Sequence, residues 1–147
     1  MTNAGRLEAI WIKRFRKGPM DPVPEVLATK GEGLRGNANQ GGRRQVTLIE
    51  KEVFKQLQAE LGRDFDPSVR RANLMVSATC LKGSTGKILR IGGVRIQLLG
   101  ETRPCERMDE AVPGLRVALD PDWRAGAYGI ILNTSAVRVG DEVAWEE

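Results

Sequence analysis

Short runs of apolar and β-branched residues recur along the chain, and most have the alternation or continuity that is typical of β-strands. In residues 6–13, Leu7, Ala9 and Trp11 fall on one side of an alternating pattern. The later runs are bounded by glycine, proline or polar residues, as strands usually are. The segments predicted as strands are 6–13, 23–27, 45–49, 74–79, 87–91, 94–101, 127–132 and 136–145.

One segment has helical spacing instead. Residues 50–61 carry an apolar stripe, which predicts packing against the core, and Gly62 follows as a C-cap residue. A second, short helix is expected within residues 106–119. One helix of moderate length among six to eight short strands predicts a mainly β protein, either a β-barrel or a sandwich. The stripe consists of Val53, Phe54, Leu57 and Leu61.

Glycine marks the turns and one long loop. Gly92-Gly93 separates two apolar runs and predicts a β-hairpin, and Gly140-Asp141 predicts a tight turn near the end of the chain. Residues 31–42 hold five glycines and few aliphatic side chains. Long loops in compact domains are often functional, so this loop is a candidate part of a binding site.

Length and charge narrow the class of protein. A chain of 147 residues matches one domain of about 100–200 residues, so we expect a single domain over residues 1–147. No apolar run approaches the roughly 18 residues of a membrane span, and residues 1–7 lack the apolar region of a secretory signal, so we expect a cytoplasmic protein without a membrane partner. The net charge of +4 favours anionic partners.

The absence of histidine removes several mechanisms. Ser-His-Asp and Cys-His nucleophile systems need an imidazole base, and His-ligated zinc needs an imidazole ligand. The two cysteines are too few for a Cys₄ zinc site or a disulfide scaffold, which agrees with a reducing compartment. The mechanisms that remain are chemistry at a cysteine thiol and chemistry at a bound cofactor.

Cys105 is the strongest candidate for such chemistry. It follows Pro104, which stiffens the backbone, and Arg103 and Arg107 flank it. Nearby cations favour the thiolate, which is both a nucleophile and a soft metal ligand. The alternative is a small buried cysteine with a packing role. Cys80 ends an apolar run and is interpreted as a core residue.

Arginines cluster before two predicted strands. Their guanidinium groups can bind phosphate through paired hydrogen bonds, and Asn73 adds amide donors; the alternative is a solvated rim. Binding of single-stranded nucleic acid usually needs aromatic platforms, and an aromatic share of 5% argues against it. The cluster consists of Arg43, Arg44, Arg70 and Arg71.

An ordered set of motifs from about Ala9 to Val143 resembles the MOSC family, named after the C-terminal domain of molybdenum cofactor sulfurase. Each motif is common, but their order, with a cysteine directly after a proline, is fairly specific. The motifs are GPM at 18–20 with Val26, GEGLRG at 31–36, RQVTLIE at 44–50, RRANLMV at 70–76, IGGV at 91–94, PCERM at 104–108 and VRVGDEV at 137–143.

The resemblance implies a MOSC-type β-barrel with a few short helices and a site for a pterin-based molybdenum cofactor. It implies that Cys105 is the family's signature cysteine and a molybdenum ligand. It also implies a separate electron-donor protein, or a cysteine desulfurase as sulfur donor. The chain has Asn37 and Ala38 where relatives often have an acidic residue. The residues matching the family's cofactor pocket are Arg44, Arg70, Arg71 and Asn73.

Three functions follow as hypotheses. In the first, Cys105 ligates molybdenum and the protein supports reduction of N-hydroxylated compounds. In the second, Cys105 carries a persulfide and transfers sulfur for assembly of a metal–sulfur cofactor. In the third, the protein is a non-enzymatic binding barrel and Cys105 belongs to its core.

Overall fold

A computed structural model describes residues 5–105 and 107–147 as a mainly β structure. A 3₁₀ turn at Pro67–Arg70 accompanies three helices, which are α1 (Lys51–Leu61), α2 (Arg107–Ala111) and α3 (Leu115–Leu119). The strands are β1 (Gly5–Lys13), β2 (Met20–Pro22), β3 (Glu25–Thr29), β4 (Gly33–Leu34), β5 (Val46–Glu50), β6 (Leu74–Ser77), β7 (Ile88–Ile91), β8 (Val94–Glu101), β9 (Ala127–Ile131), β10 (Ser135–Arg138) and β11 (Glu142–Trp145).

Seven strands form a closed ring in the order β11-β7-β8-β9-β5-β6-β1. The ring closes where β1 pairs with β11, with Gly5 opposite Val143 and Arg6 opposite Glu142. β2 extends the sheet beyond β1, and β10, β3 and β4 form a smaller sheet. The structure is therefore a β-barrel, which confirms the predicted fold class and decides between barrel and sandwich.

Two apolar clusters fill the molecule. One is the barrel interior, which includes Leu48, Leu74 and Ile96. The other lies between the barrel wall and the helices, where α1 buries Phe54 and Leu57 and packs Val53 and Leu61 against them. Gly62 ends α1 in the left-handed conformation. The predicted helix and its apolar stripe are thus confirmed.

β5 and β6 pair in parallel, with Leu48 opposite Leu74. A parallel pair needs a crossover connection, and α1 followed by the 3₁₀ turn supplies it. Parallel strands begin at the same edge of a sheet. The residues that precede β5 therefore come close to those that precede β6, and this brings Arg44 towards Arg70, Arg71 and Asn73.

The structure corrects the interpretation of Cys80. β6 ends at Ser77, and Ala78 then adopts a positive φ of 51°, which redirects the chain. Leu81 enters the core in place of Cys80, whose side chain is exposed. Cys80 is therefore a surface residue.

The last two strands flank the predicted turn at Gly140-Asp141 but belong to different sheets. β10 pairs with β3, whereas β11 pairs with β1 and β7. The expected short helix within residues 106–119 is two helices, α2 and α3. None of the helices in the described ranges is long and apolar enough to span a membrane.

Candidate functional site

A polar cleft of about 290 Å³ lies where β5 and β6 begin. Of the residues predicted to bind a cofactor, Arg44, Arg71 and Asn73 line it directly. The Gly-rich loop contributes two asparagines, and the end of β1 contributes a lysine. The lining residues are Lys13, Met20, Asn37, Asn39, Arg44, Thr47, Arg71 and Asn73.

A buried amide network forms the floor of the cleft. Asn73 Oδ1 accepts hydrogen bonds from the backbone N–H and the hydroxyl of Thr47, each at 3.2 Å. Asn73 Nδ2 donates to the Trp11 carbonyl at 3.1 Å and to Asn37 Oδ1 at 3.2 Å. Asn37 Oδ1 also accepts from the Lys13 N–H at 2.9 Å. The network ties β1, the Gly-rich loop, β5 and β6 together, and it fixes the positions from which the cations project.

Arg71 is held in an unusual backbone conformation. It ends the 3₁₀ turn with φ of 64°, and its N–H donates to the Ser68 carbonyl at 2.9 Å. An L-residue with a side chain occupies this left-handed region at a cost that glycine would avoid. Nη2 of Arg71 donates to the Gly18 carbonyl, which leaves other guanidinium donors directed to the cleft.

Arg70 is buried, with only 4% of its surface exposed. Nε donates to the Ala125 carbonyl at 2.8 Å, but Nη2 finds no hydrogen-bond partner in the described part of the chain. Burial lowers the pKa of Arg70 to about 10, with repulsion from Arg44 in the same direction and attraction to Cys105 opposing it. A buried guanidinium with an unused donor is the feature expected where an anion completes the site.

The cleft concentrates positive charge. Burial lowers the pKa of Lys13, and the charges of Arg71, Arg44, Arg107 and Arg16 lower it further. None of the described residues that line the cleft is an Asp or a Glu. The arrangement is thus suited to a ligand with more than one negative charge, such as a phosphate group.

Cys105 is exposed and lies between β8 and α2, outside the lining of the cleft. Its carbonyl accepts a hydrogen bond from the Met108 N–H at 3.0 Å, which holds the start of α2. The thiol is close enough to both Arg70 and Arg71 for its charge to raise their pKa values against the effect of burial. The structure therefore contradicts the alternative of a buried, merely packing cysteine.

The arginines that flank Cys105 in sequence differ in their surroundings. Arg103 lies 3.4 Å from Glu101 and 3.8 Å from Asp120, so carboxylates balance its charge. Arg107 lowers the pKa of Arg71 by repulsion and so lies near the positive charges at the cleft. These charges, here called the cationic cluster, are those of Lys13, Arg44, Arg70 and Arg71. Arg43 is exposed and does not line the cleft, which agrees with the solvated-rim interpretation for this one residue.

Sequence reasoning missed several members of the site. Lys13, Thr47 and Asn39 line the cleft although none of them was named as a site residue, and Asn37 is a central member of the amide network. Their common signal is polar character at a strand end or in the Gly-rich loop. That signal has meaning only once the strand pairing is known.

The chain offers no metal cage of its own in the ranges 5–105 and 107–147, where no group of three or more His, Cys, Asp or Glu residues is placed to hold a metal ion. The donors that are present, one exposed thiol beside two arginines and a cluster of cations, match a phosphorylated cofactor that brings its own metal. A wider depression of about 510 Å³ lies on α3, between Arg116 and Pro121. Val117 is 76% exposed there, and the depression is not part of the cationic cluster.

Comparisons with known proteins agree with this architecture. A family model described as the MOSC domain matches residues 35–144. The structure is similar to that of the YuaD protein from Bacillus subtilis, with a TM-score of 0.82 and 20% identity over 96% of this chain and 94% of that one. No curated protein matches the sequence.

Two further solved structures share the fold. YiiM from Geobacillus stearothermophilus has a TM-score of 0.76 and 16% identity, covering 97% of this chain and 75% of that one. YiiM from Escherichia coli has a TM-score of 0.75 and 15% identity, covering 97% of this chain and 70% of that one.

Proposed function

Because the chain belongs to the MOSC domain family, whose members are associated with the molybdenum cofactor, we propose that it binds this cofactor with Cys105 as a thiolate ligand of the metal. The observation that carries the proposal is the buried Arg70, whose unpartnered Nη2 lies in a cationic cluster near an exposed thiol. Bound there, the cofactor would supply a metal centre able to exchange electrons and oxygen with a substrate.

The protein's residues divide the work of binding. Lys13, Arg44 and Arg71 neutralise the cofactor's phosphate from the walls of the cleft, and the buried Arg70, which is close enough to Arg44 to be repelled by it, adds positive charge nearby. Asn73 forms part of the floor of the cleft, and its hydrogen bonds to Thr47 keep that floor rigid. Cys105 approaches from the segment before α2, close to Arg70 and Arg71.

The proposed reaction is the reduction of N-hydroxylated compounds. The N–O bond breaks on uptake of one pair of electrons and an equal number of protons. The oxygen leaves as water, and the nitrogen keeps an N–H bond in place of the N–OH group. The electrons come from a separate electron-donor protein, because the residues described here include no redox group besides thiols. Because Cys105 is exposed, a metal bound to its thiolate would be accessible to both substrate and donor.

Molybdenum content tests the metal-ligand role. The protein should be purified from a cofactor-producing host as wild type, Cys105→Ala and Cys80→Ala, since both cysteines are exposed. We expect near-stoichiometric molybdenum in the wild type and in Cys80→Ala, and little in Cys105→Ala. Equal metal content in all three proteins would refute the role of Cys105.

Sulfur transfer is the second candidate, and the exposure of Cys105 favours it. The Cys105 thiolate would attack the outer sulfur of a persulfide on a cysteine desulfurase. A new S–S bond forms at Cys105, and the donor's cysteine leaves as a thiolate. Incubation with a desulfurase and free cysteine should then add one sulfur atom to wild type and to Cys80→Ala, but none to Cys105→Ala. An unchanged intact mass of the wild type would exclude this function.

A further inference from the structure

A second groove adjoins the cationic cleft. It has a volume of about 330 Å³ and runs between the 3₁₀ turn and α2. Arg71 lines both cavities, so the two meet at one guanidinium group. The residues that line the groove are Ser68, Val69, Arg71, Arg107, Glu110 and Ala111.

The two cavities differ in chemistry. The cleft has cations without a carboxylate among its described lining residues, whereas the groove combines Arg107, Glu110 and the apolar Val69 and Ala111. The carboxylate of Glu110 would oppose a phosphate, which carries more than one negative charge. An organic molecule with an apolar body and a single anionic group fits the groove better than a phosphate does.

The groove also adjoins the chain segment that carries Cys105. Arg107 is two residues from Cys105, and the charge of Cys105 acts on Arg71. On α2, Arg107, Glu110 and Ala111 stand at positions i, i+3 and i+4, which places them on one face of the helix. That face lies opposite Ser68 and Val69 of the 3₁₀ turn.

Two arginines repel each other across the groove. Both guanidinium groups line this groove, which brings two positive charges to one cavity. An anion placed between them would relieve this repulsion and accept charge-assisted hydrogen bonds from both. The arrangement therefore points to a carboxylate or a similar monoanion as the group recognised.

Resting on the proposed reduction of N-hydroxylated compounds, we propose that this groove is the substrate site and that it selects substrates carrying one carboxylate. Arg71 and Arg107 bind the carboxylate, and Val69 and Ala111 contact the apolar body. Glu110 accepts a hydrogen bond from an N–H group of the substrate and repels a second negative charge. Arg107 is thus a specificity-determining residue.

Binding can be tested without the metal. Arginine side-chain ¹⁵N NMR spectra of the whole chain should be recorded during titration with 4-carboxybenzamidoxime and with unsubstituted benzamidoxime. We expect the carboxylated probe to shift two arginine resonances and to bind about tenfold more weakly to Arg107→Gln, the effect of losing a charged hydrogen bond. Arg63→Gln, an exposed arginine outside both cavities, should bind like the wild type.

The activity of the molybdenum-loaded protein provides a second test of the groove. The KM for the carboxylated probe should rise about tenfold in Arg107→Gln, while the KM for benzamidoxime stays unchanged. Reduction of both probes with equal KM values in wild type and Arg107→Gln would overturn the groove but keep the proposed function. Specific binding in the NMR titration without reduction of either probe would keep the groove as a binding site but overturn the proposed function. No binding of the carboxylated probe at Arg107 would overturn the inference.

Discussion

Arg70 shows how one side chain can favour binding at the expense of stability. Its guanidinium is 4% exposed, and Nη2 has no partner among the described residues. A buried charge without compensation costs free energy, and apolar replacement of buried ions is often neutral or stabilising. Because folding lowers the pKa of Arg70 to about 10, this cost is present at neutral pH and is relieved only as the pH rises above about 10.

We therefore predict that Arg70→Met keeps the free energy of unfolding within about 1 kcal/mol of wild type and abolishes stabilisation by phosphate. At ten times the Kd, phosphate should stabilise the wild type by roughly 1.4 kcal/mol. Chemical denaturation with and without phosphate measures both effects. Arg90→Met, at an exposed position on β7, serves as the control and should keep the phosphate response. A loss of more than about 3 kcal/mol in Arg70→Met would mean that the guanidinium is a structural group.

Single residues also mark where sequence reasoning reached its limit. Cys105 and its neighbourhood were identified because proline and arginines adjoin it in the chain. Lys13 was missed because its proximity to Arg44 and Arg71 arises from strand pairing over long sequence distances. Arg103 was assigned to the thiol, but Glu101 and Asp120 lie within ion-pair distance of it. Adjacency in sequence does not reveal which charges are already balanced.

Among the elements, α1 begins beside a carboxylate that is partly removed from water. Burial raises the pKa of Glu50, and repulsion from Glu52 adds to this, although the Leu81 N–H donates a hydrogen bond to the carboxylate. A raised pKa of an acid means that the folded state favours the protonated form. The associated stability is fully present below the unfolded pKa and is lost as the pH rises through the folded pKa.

Glu50→Gln should accordingly be more stable than the wild type at pH 7, and the difference should disappear below the ordinary glutamate pKa of 4.5. The amide oxygen can still accept from Leu81, so only the charge is removed. Thermal melts between pH 3 and about pH 8 measure the difference. Glu32→Gln, at an exposed position, should show no such trend. A gain in Glu50→Gln that is independent of pH would refute the role of burial.

The connection from α3 to β9 depends on a glycine for two separate reasons. Gly126 has φ of 102°, and a Cβ placed on it would stand 1.9 Å from the Leu48 carbonyl oxygen. Gly140 has φ of 99°, but a Cβ there would meet nothing within 4 Å. The pair separates the cost of the backbone conformation from the cost of a steric clash.

We predict that Gly140→Ala costs about 1 kcal/mol and that Gly126→Ala costs more than about 3 kcal/mol. Both values come from urea denaturation of the two variants beside the wild type. Similar costs for the two variants would show that β5 and β9 separate easily enough to admit a methyl group.

Elements with local signals were predictable, and their pairing was less so. The stripe and Gly62 identified α1, and Gly92-Gly93 identified the β7–β8 hairpin, because these signals lie within a few residues. No local pattern indicates that β5 and β6 are parallel or that β10 and β11 join different sheets. The position of the cleft follows from those pairings, and so its predicted parts were the arginines, Asn73 and the Gly-rich loop, without the residues of that loop that line the cleft.

The whole molecule depends on a short seam. Among residues 5–105 and 107–147, two residue pairs join β1 to β11, and these are Gly5 with Val143 and Arg6 with Glu142. A Cβ on Gly5 would lie 2.5 Å from Thr79 Oγ1, so the seam is tightly packed. This seam closes the barrel, whereas the pattern of apolar residues left a barrel and a sandwich both possible.

Removal of residues 142–147 should abolish cooperative thermal unfolding. The deletion leaves the edges of β1 and β7 unpaired and takes the buried Val143 from the core. Circular dichroism melts measure the transition. Removal of Glu147 alone, which keeps the Arg95–Glu146 ion pair, should leave it intact. A cooperative melt of the shorter chain at the wild-type temperature would show that the ring need not close.

The seam also orders events during protein synthesis. The ribosome makes β1 first among the strands of the ring and β11 last, while every lining residue of the cleft lies between Lys13 and Asn73. A nascent chain that has passed residue 73 but not residue 142 therefore carries every cation that lines the cleft, without the strand that closes the ring. The barrel cannot close until translation of β11 is complete.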